Sequence, residues 1–398
     1  MSKFAKREKY LNYNLPYIGK DEINEVVDTL RSGWLTTGPK TKIFENEFKK
    51  YIGSKYAVAI SSCTAGLHLG LLAAGIKKGD EVISTPYTFA STILAILEVG
   101  AKPVFVDIRK DTLNLDESQI ESKVGRRTRA ILPVHFAGLP CEMSLISKIA
   151  KRHKLFIIED AAHAVGSSYG GKKIGNIGDL AAFSFYATKN LTTGEGGMVT
   201  TNNRAIAEKV RILSLHGISK DSFKRYAKGG SWYYEVLEKG FKYNMMDIQA
   251  ALGIHQLKKL EWMNKRRKEI VDQYNRAFAD MDEIISNPLP KNMGHSWHLY
   301  VLQLDLDKLS IDRNSFIDEL KKRNIGTSVH FIPVFRHPYF QKALKIKPAM
   351  FPVTDMIYKR VVSLPLYPSM TDTDVKYVIS AVADIFKRNR RQYKKRKR

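Results

Sequence analysis

The chain has 398 residues, 44% of them hydrophobic and 26% charged, enough to bury a large core as a soluble globular protein of two domains, or one large and one small. No apolar run approaches twenty residues and the opening, Met1 to Glu8, lacks the apolar core of a signal peptide, so we expect no stable membrane insertion and a cytoplasmic location. The net charge of +25 raises the question of nucleic acid or anionic membrane partners, but no recognisable reader motif accompanies it, and we expect no nucleic acid partner. Nine of those charges lie in the last twelve residues, 387–398, which read as a basic, disordered, solvated tail; the remaining +16 is spread through the body and favours anionic small substrates. Cys63 and Cys141 match no metal or redox spacing, so structural thiols and no metal site are expected.

Ile23, Val26, Val27 and Leu30 recur at helical spacing, and this first helix ends in a Gly- and Pro-marked loop, Ser32 to Pro39. Tyr56–Ile60 reads as a strand, Ser61–Thr64 as a turn and Ala65 to Ala74 as a helix. Small polar residues opening a helix present free backbone N–H groups at the positive end of its dipole, a natural phosphate seat, although the same pattern also describes an ordinary N-capped helix. A strand at Glu81–Ser84 leads through Thr85–Phe89 into a helix ending near Leu97; an aromatic just past such a strand end can lie flat on a cofactor ring. Further strands are read at Lys102–Asp107 and Arg129–Val134. Strand and helix alternate from 56 to 160, which argues for a largely parallel sheet wrapped by helices.

The most informative stretch runs from Phe156 to Thr201. A buried strand, Leu155–Ile158, ends on two carboxylates, Glu159 and Asp160, at the strand end where open α/β sheets place ligands. A second apolar run, Leu180–Phe185, is followed by Lys189 in a polar loop and by Gly194, Gly196 and Gly197. One acid and one amine are thereby offered to a common crevice. Pyridoxal 5'-phosphate chemistry requires that pair: the lysine ε-amine condenses with the aldehyde, and the aspartate keeps the ring nitrogen protonated so that the ring can draw electrons from a carbanion.

The wording around these residues, E-D-A-A-H-A from Glu159, S-F-x-x-x-K from Ser184 and G-E-G-G from Gly194, resembles the DegT/DnrJ/EryC1/StrS family of sugar aminotransferases. The resemblance covers roughly residues 14 to 386. It implies an α/β protein of fold type I, aspartate aminotransferase-like, with a mainly parallel seven-stranded sheet in a large domain over 1–265 and a smaller α+β domain over 266–386. It assigns Lys189 and Asp160 as catalytic residues. Around the cofactor it places Thr64 and Ala65 at the phosphate, with Cys63 standing in for the usual glycine, and Tyr87 stacked on the ring. It also places His163 beside the ring hydroxyl, Ser184 at the phosphate and Lys242 where an Asn often reaches the phosphate across a dimer. Trp34 and Thr36, in the G-W-L-T-x-G-P loop, and His330, in Gly326–Pro333, are implied on the substrate side.

Beyond Thr201 we read a helix from Asn203 to Leu213, then a long polar, aromatic and basic connection, Lys220 to Lys239, which in the family lies near the dimer interface and helps form the neighbour's site. A basic helix around Lys258 to Tyr274 bridges to the C-terminal part, with a strand at His298–Leu304, a helix at Ser315–Arg323 and a last helix after Thr373. The family implies glutamate, becoming 2-oxoglutarate, as amino donor, a nucleotide-linked keto-sugar as acceptor and a homodimer with shared active sites. Among its branches the motifs look most like enzymes that aminate a UDP-4-keto sugar, such as the UDP-4-amino-4-deoxy-L-arabinose aminotransferases; amination at C3 or a GDP- or dTDP-linked sugar stays open. The family's dehydrating branch has His where this chain has Lys189.

Overall fold

The computed structural model describes residues 4–219, 232–286 and 289–391. Its centre is a seven-stranded sheet of β1 (Tyr56–Ile60), β2 (Glu81–Ser84), β3 (Lys102–Phe105), β4 (Thr128–Ile131), β5 (Phe156–Asp160), β8 (Leu180–Ser184) and β9 (Gly197–Thr201). The intervening β6 (Ser168–Tyr169) and β7 (Lys172–Lys173) form a small hairpin that pairs with β10 (Met293–Gly294). The strands of the main sheet lie in the order β1-β9-β8-β5-β4-β2-β3. All run parallel except β9, which is antiparallel to both its neighbours. The mostly parallel seven-stranded α/β architecture read from the sequence is thus borne out.

Side chains alternate across a strand, and here both faces are apolar. Ala57, Ala59, Ile131, Ile157, Ala181 and Phe183 face one hydrophobic cluster with Phe44, Phe48 and Ile254. Val58, Ile60, Ala130, Ile158, Ala182 and Val199 face another with Leu67, Ile93 and Ile96. Helices cover both faces, and two of them, Pro39–Ile52 and Met143–His153, were not picked out from the sequence.

A 32-residue helix, Asp247–Phe278, starts under the first cluster and ends in a third one, where Ile270, Val271, Tyr274 and Phe278 pack against a two-stranded sheet of β11 (Tyr300–Gln303) and β12 (Val361–Leu364). The C-terminal helix, Asp372–Asn389, closes that layer, with Thr371 as its N-cap. It runs past the expected start of the tail at 387, Arg390 pairs with Glu283 and Arg391 Nε donates to the Leu309 carbonyl at 2.6 Å. Residues 387–391 are therefore ordered against this layer, a correction to the tail drawn from charge alone. The rest of the tail, 392–398, and residues 220–231 of the long connection lie outside the described residues. Among the described residues, no helix is long and apolar enough to cross a membrane.

Candidate active site

Because β1, β2, β4, β5 and β8 are parallel, their C-terminal ends open on one edge of the sheet, and the segments that follow them line a cavity of about 650 Å³. The edge of β5 supplies Asp160, that of β8 supplies Ser184 and, five residues on, Lys189; β1 leads into Ser62, Cys63 and Thr64. Thr88 and Phe89 follow β2, and His298, His330 and Phe331 approach from the C-terminal part. Among the described residues there is no group of three or more His, Cys, Asp or Glu arranged to hold a metal.

The turn after β1 is a helix N-terminus. The helix is Cys63–Ala73, two residues longer at its start than expected, with the Ser62 hydroxyl accepting from the Ala65 N–H at 3.1 Å. Thr64 therefore sits in the first turn facing the cavity, where backbone donors and the dipole favour an anion. Ala65 is buried and does not line the cavity, and its N–H is taken up by the cap. The glycine at 197 allows this arrangement: a Cβ there would lie 2.7 to 2.8 Å from the backbone of Ser62 and Cys63. The G-E-G-G run is thus required for strand β9 to pack against the turn, and Gly194, at φ +77, for the bend before it.

Asp160 is 4% exposed. Its Oδ2 accepts from the Thr92 hydroxyl at 2.7 Å and its Oδ1 from the Ala162 N–H at 3.1 Å. Burial raises its pKa, opposed by the Thr92 and Ala162 hydrogen bonds and by the nearby Lys189 charge. The neighbouring Glu159 points the other way, into a fully buried pair with His135 Nε2 at 2.9 Å and with the Gly178 N–H at 2.8 Å. The amine of Lys189 has no carboxylate within 4 Å among the described residues. Enclosure by the cavity walls pulls its pKa down to about 8, with Cys63 and Asp160 opposing. A substantial neutral fraction at physiological pH makes it a competent nucleophile. The Cys63 thiol, pushed well up by burial, donates to the Ala182 carbonyl at 3.3 Å.

Three histidines complete the walls, all held neutral by burial next to Lys189. His163 Nδ1 accepts from the Ala137 N–H at 3.2 Å, which leaves its proton on Nε2. Its ring stacks on Phe331, with centroids 5.5 Å apart. His298 Nδ1 meets Asn190 Oδ1 at 3.1 Å; the Asn190 amide donates to Asn264 Oδ1 at 2.8 Å and to the Ser296 carbonyl at 2.7 Å, so His298 is the donor through Nδ1 and keeps an acceptor at Nε2. His330, depressed to about 4, is held by Ser363 Oγ at 2.9 Å.

The structure gathers Thr64, Asp160, His163, Ser184, Lys189 and His330 in one cavity. It corrects the ring-stacking aromatic. Tyr87 is 1% exposed, packs on Phe136 and donates its hydroxyl to the His330 carbonyl, behind the cavity wall. Phe89, two residues later and 63% exposed, lines the cavity, as Tyr186 and Phe331 do. Trp34, Thr36 and Lys242 do not line this cavity. The Trp34 loop is instead strapped to the segment that follows Lys242: Asn244 Nδ2 donates to Thr37 Oγ1 at 2.7 Å, and Asp247 Oδ1 accepts from the Gly38 N–H at 2.8 Å. Phe89, Thr92 and His298 were missed in the sequence; an aromatic two residues past Tyr87 was the available signal for the first.

A buried acid, an uncommitted lysine of lowered pKa and a helix N-terminus with a serine and a threonine, set on one sheet edge, fit the ring nitrogen, aldehyde and phosphate of pyridoxal 5'-phosphate. This fold and donor set define the fold type I class of pyridoxal-phosphate-dependent transferases. Residues 16–383 match the DegT/DnrJ/EryC1/StrS aminotransferase family, and the chain belongs to it. It is 55% identical over 383 residues to the spore coat polysaccharide biosynthesis protein SpsC of Bacillus subtilis, covering 96% of this chain and 98% of that protein. Its structure superposes on the PMP-form of the putative sugar aminotransferase Spr1654 from Streptococcus pneumoniae with a TM-score of 0.89 at 35% identity, covering 95% and 99% of the two chains. Helicobacter pylori PseC, an aminotransferase involved in the biosynthesis of pseudoaminic acid, gives a TM-score of 0.89 at 31% identity, covering 96% and 100%.

Proposed function

We propose that this aminotransferase moves the amino group of glutamate to the keto carbon of a nucleotide-linked sugar, giving a nucleotide-linked amino sugar for cell-surface polysaccharide or lipid A modification. The observation that carries the reading is the shared cavity of Lys189 and Asp160, with Lys189 depressed to about 8 and, among the described residues, free of ion pairs within 4 Å. The names of SpsC and PseC, a polysaccharide biosynthesis protein and an aminotransferase for pseudoaminic acid, support a sugar acceptor. A UDP-4-keto sugar is the acceptor we favour, on the motifs around Asp160 and Tyr243.

When bound, pyridoxal phosphate supplies a ring that draws off the negative charge developing on the donor's α-carbon. Asp160, to which Thr92 and Ala162 donate, would face the ring nitrogen and hold its proton. Thr64, Ser184 and the N-terminus of Cys63–Ala73 hold the phosphate. His163 offers its Nε2 proton to the ring hydroxyl. Lys189 would anchor the cofactor, and its neutral Nζ would be the base that takes the donor's α-proton and holds it as an ammonium. His330 and Phe331 border the side from which the sugar enters. Trp34, Thr36 and Lys242 lie together outside their own cavity, which supports a homodimer in which they complete the neighbour's site.

Incubation with glutamate and a panel of nucleotide keto-sugars, read by mass spectrometry, tests the reaction. Borohydride treatment of the loaded protein should fix the cofactor on the peptide containing Lys189. Lys189→Ala should abolish turnover; a variant that keeps substantial activity ends the assignment.

A further inference from the structure

Behind the cavity wall, one polar chain leads to the carboxylate of Asp160. Thr88 and Thr92 stand one turn apart at the start of the helix Ala90–Glu98, both buried, with their hydroxyl oxygens 2.7 Å from each other. Thr92 Oγ1 is also 2.7 Å from Asp160 Oδ2. A carboxylate anion can only accept, so the Thr92 proton is committed to Asp160. The Thr92 oxygen is then the acceptor for Thr88, whose proton is committed in turn. Thr88 lines the cavity and Thr92 is fully buried behind it, so two hydroxyls run in file from the cavity wall to the carboxylate. Each bond polarises the next.

We propose that Thr92 is a positioning residue, backed by Thr88, which keeps Asp160 ionised and turned toward the ring nitrogen of the cofactor. The proposal rests on the reading of Asp160 as the partner of that nitrogen. The groups facing Asp160 from the surrounding elements are Cys63 at the helix after β1, His135 after β4, Cys141 beyond it and Lys189 after β8. The cysteines are thiols held well above their ordinary pKa by burial, and His135 donates its Nε2 proton to Glu159. Lys189 acts on Asp160 through its charge and not through a hydrogen bond. Thr92 thus provides the one side-chain hydrogen bond from an oxygen or nitrogen donor to this carboxylate among the described residues.

Removing that bond shifts Asp160 toward its protonated form. Thr92→Val keeps the shape and deletes the proton; a hydrogen bond to a charged group lost at a buried site corresponds to about tenfold or more in the equilibrium it supports. Three readouts follow. Equilibrium dialysis of pyridoxal phosphate should show affinity about tenfold weaker in Thr92→Val. The pH titration of the bound cofactor's absorption should show its acid transition moved up by about one unit, because Asp160 works as the anion and a raised pKa withdraws it at higher pH. Thr92→Ser should restore both. Thr88→Val, which leaves the Thr92 bond in place, should shift both in the same direction by less.

Wild-type affinity and an unmoved absorption titration in Thr92→Val overturn the proposal, as does a Thr92→Ser variant as impaired as Thr92→Val. Should Thr92→Val fail to fold, the comparison of Thr88→Val and Thr92→Ser with wild type decides: a shift in the first absent from the second supports the relay, and no shift in Thr88→Val overturns it. Failure of the underlying reading looks different, since Asp160→Asn would then also keep the affinity and the absorption titration of wild type.

Discussion

Asp247, the first residue of the long helix, is 1% exposed and serves a different helix from its own. Its Oδ1 accepts from the Gly38 N–H at 2.8 Å, the Thr41 N–H at 2.9 Å and the Thr41 hydroxyl at 2.6 Å, and its Oδ2 accepts from the Lys40 N–H at 3.0 Å. It therefore caps the helix Pro39–Ile52, whose own N-cap position, Gly38, has no side chain to do so. Replacing Asp247 with Ala strands two buried backbone donors, a half-buried one and a buried hydroxyl. Loss of an N-cap alone costs about 1 kcal/mol; loss of one partner of a buried charged network costs about 3–5 kcal/mol, and the count of donors places Asp247→Ala in the second range. Asp247→Asn is milder for a geometric reason. The amide oxygen can stand at Oδ1 and keep three bonds, while the NH₂ meets the Lys40 N–H donor to donor, so about 1–3 kcal/mol is expected. The assay is urea unfolding of the cofactor-free variants, compared at equal m-value. Both variants lying within about 0.5 kcal/mol of wild type, the ordinary range of a surface change, would refute this account of the cap.

Two further outcomes follow from the cavity. Phe89→Ala should weaken pyridoxal phosphate binding about tenfold by removing an aromatic face from the cavity, an interaction of about 0.5–1.5 kcal/mol beyond its area. Tyr87→Phe should leave binding unchanged and cost about 1 kcal/mol of stability through its lost bond to His330; equal binding losses in the two would restore Tyr87 as the stacking ring. Capture of pyridoxal phosphate by cofactor-free protein should quicken as pH rises from 6, reach half its maximum at about 8 and level off roughly a unit above, since the neutral Lys189 amine is the reacting form and its pKa is lowered to about 8. A rate still climbing steeply between pH 9 and 10 would contradict that.

Where the site is contiguous, the sequence could be read directly. Asp160, His163, Ser184 and Lys189 fall within thirty residues that form two neighbouring parallel strands, so strand ends alone bring them together. The sheet was legible for the same reason: short apolar runs buried on both faces cannot be mistaken for amphipathic helices. Tyr87 was misplaced because the chain bends at residues 86–88 before the helix at Ala90, so that Tyr87 is buried while Phe89 reaches the cavity; a shift of two residues is invisible to composition. Thr92 and His298 were illegible because their roles depend on contacts over 68 and 108 residues of chain, to Asp160 and to Asn190. Lys242 and Trp34 were placed by resemblance, and one chain alone holds them away from its own cavity.

The long helix has a mechanical side. One end clamps the loop before Pro39 through Asp247, and the other is buried against β11 and β12, with Arg267 donating to the Leu366 carbonyl at 2.7 Å on the way. At about 1.5 Å per residue its 32 residues make a strut of about 48 Å. A strut held at both ends ties together the layers it joins, and the cavity mouth is left to the segments around His330 and Phe89 rather than to the helix itself.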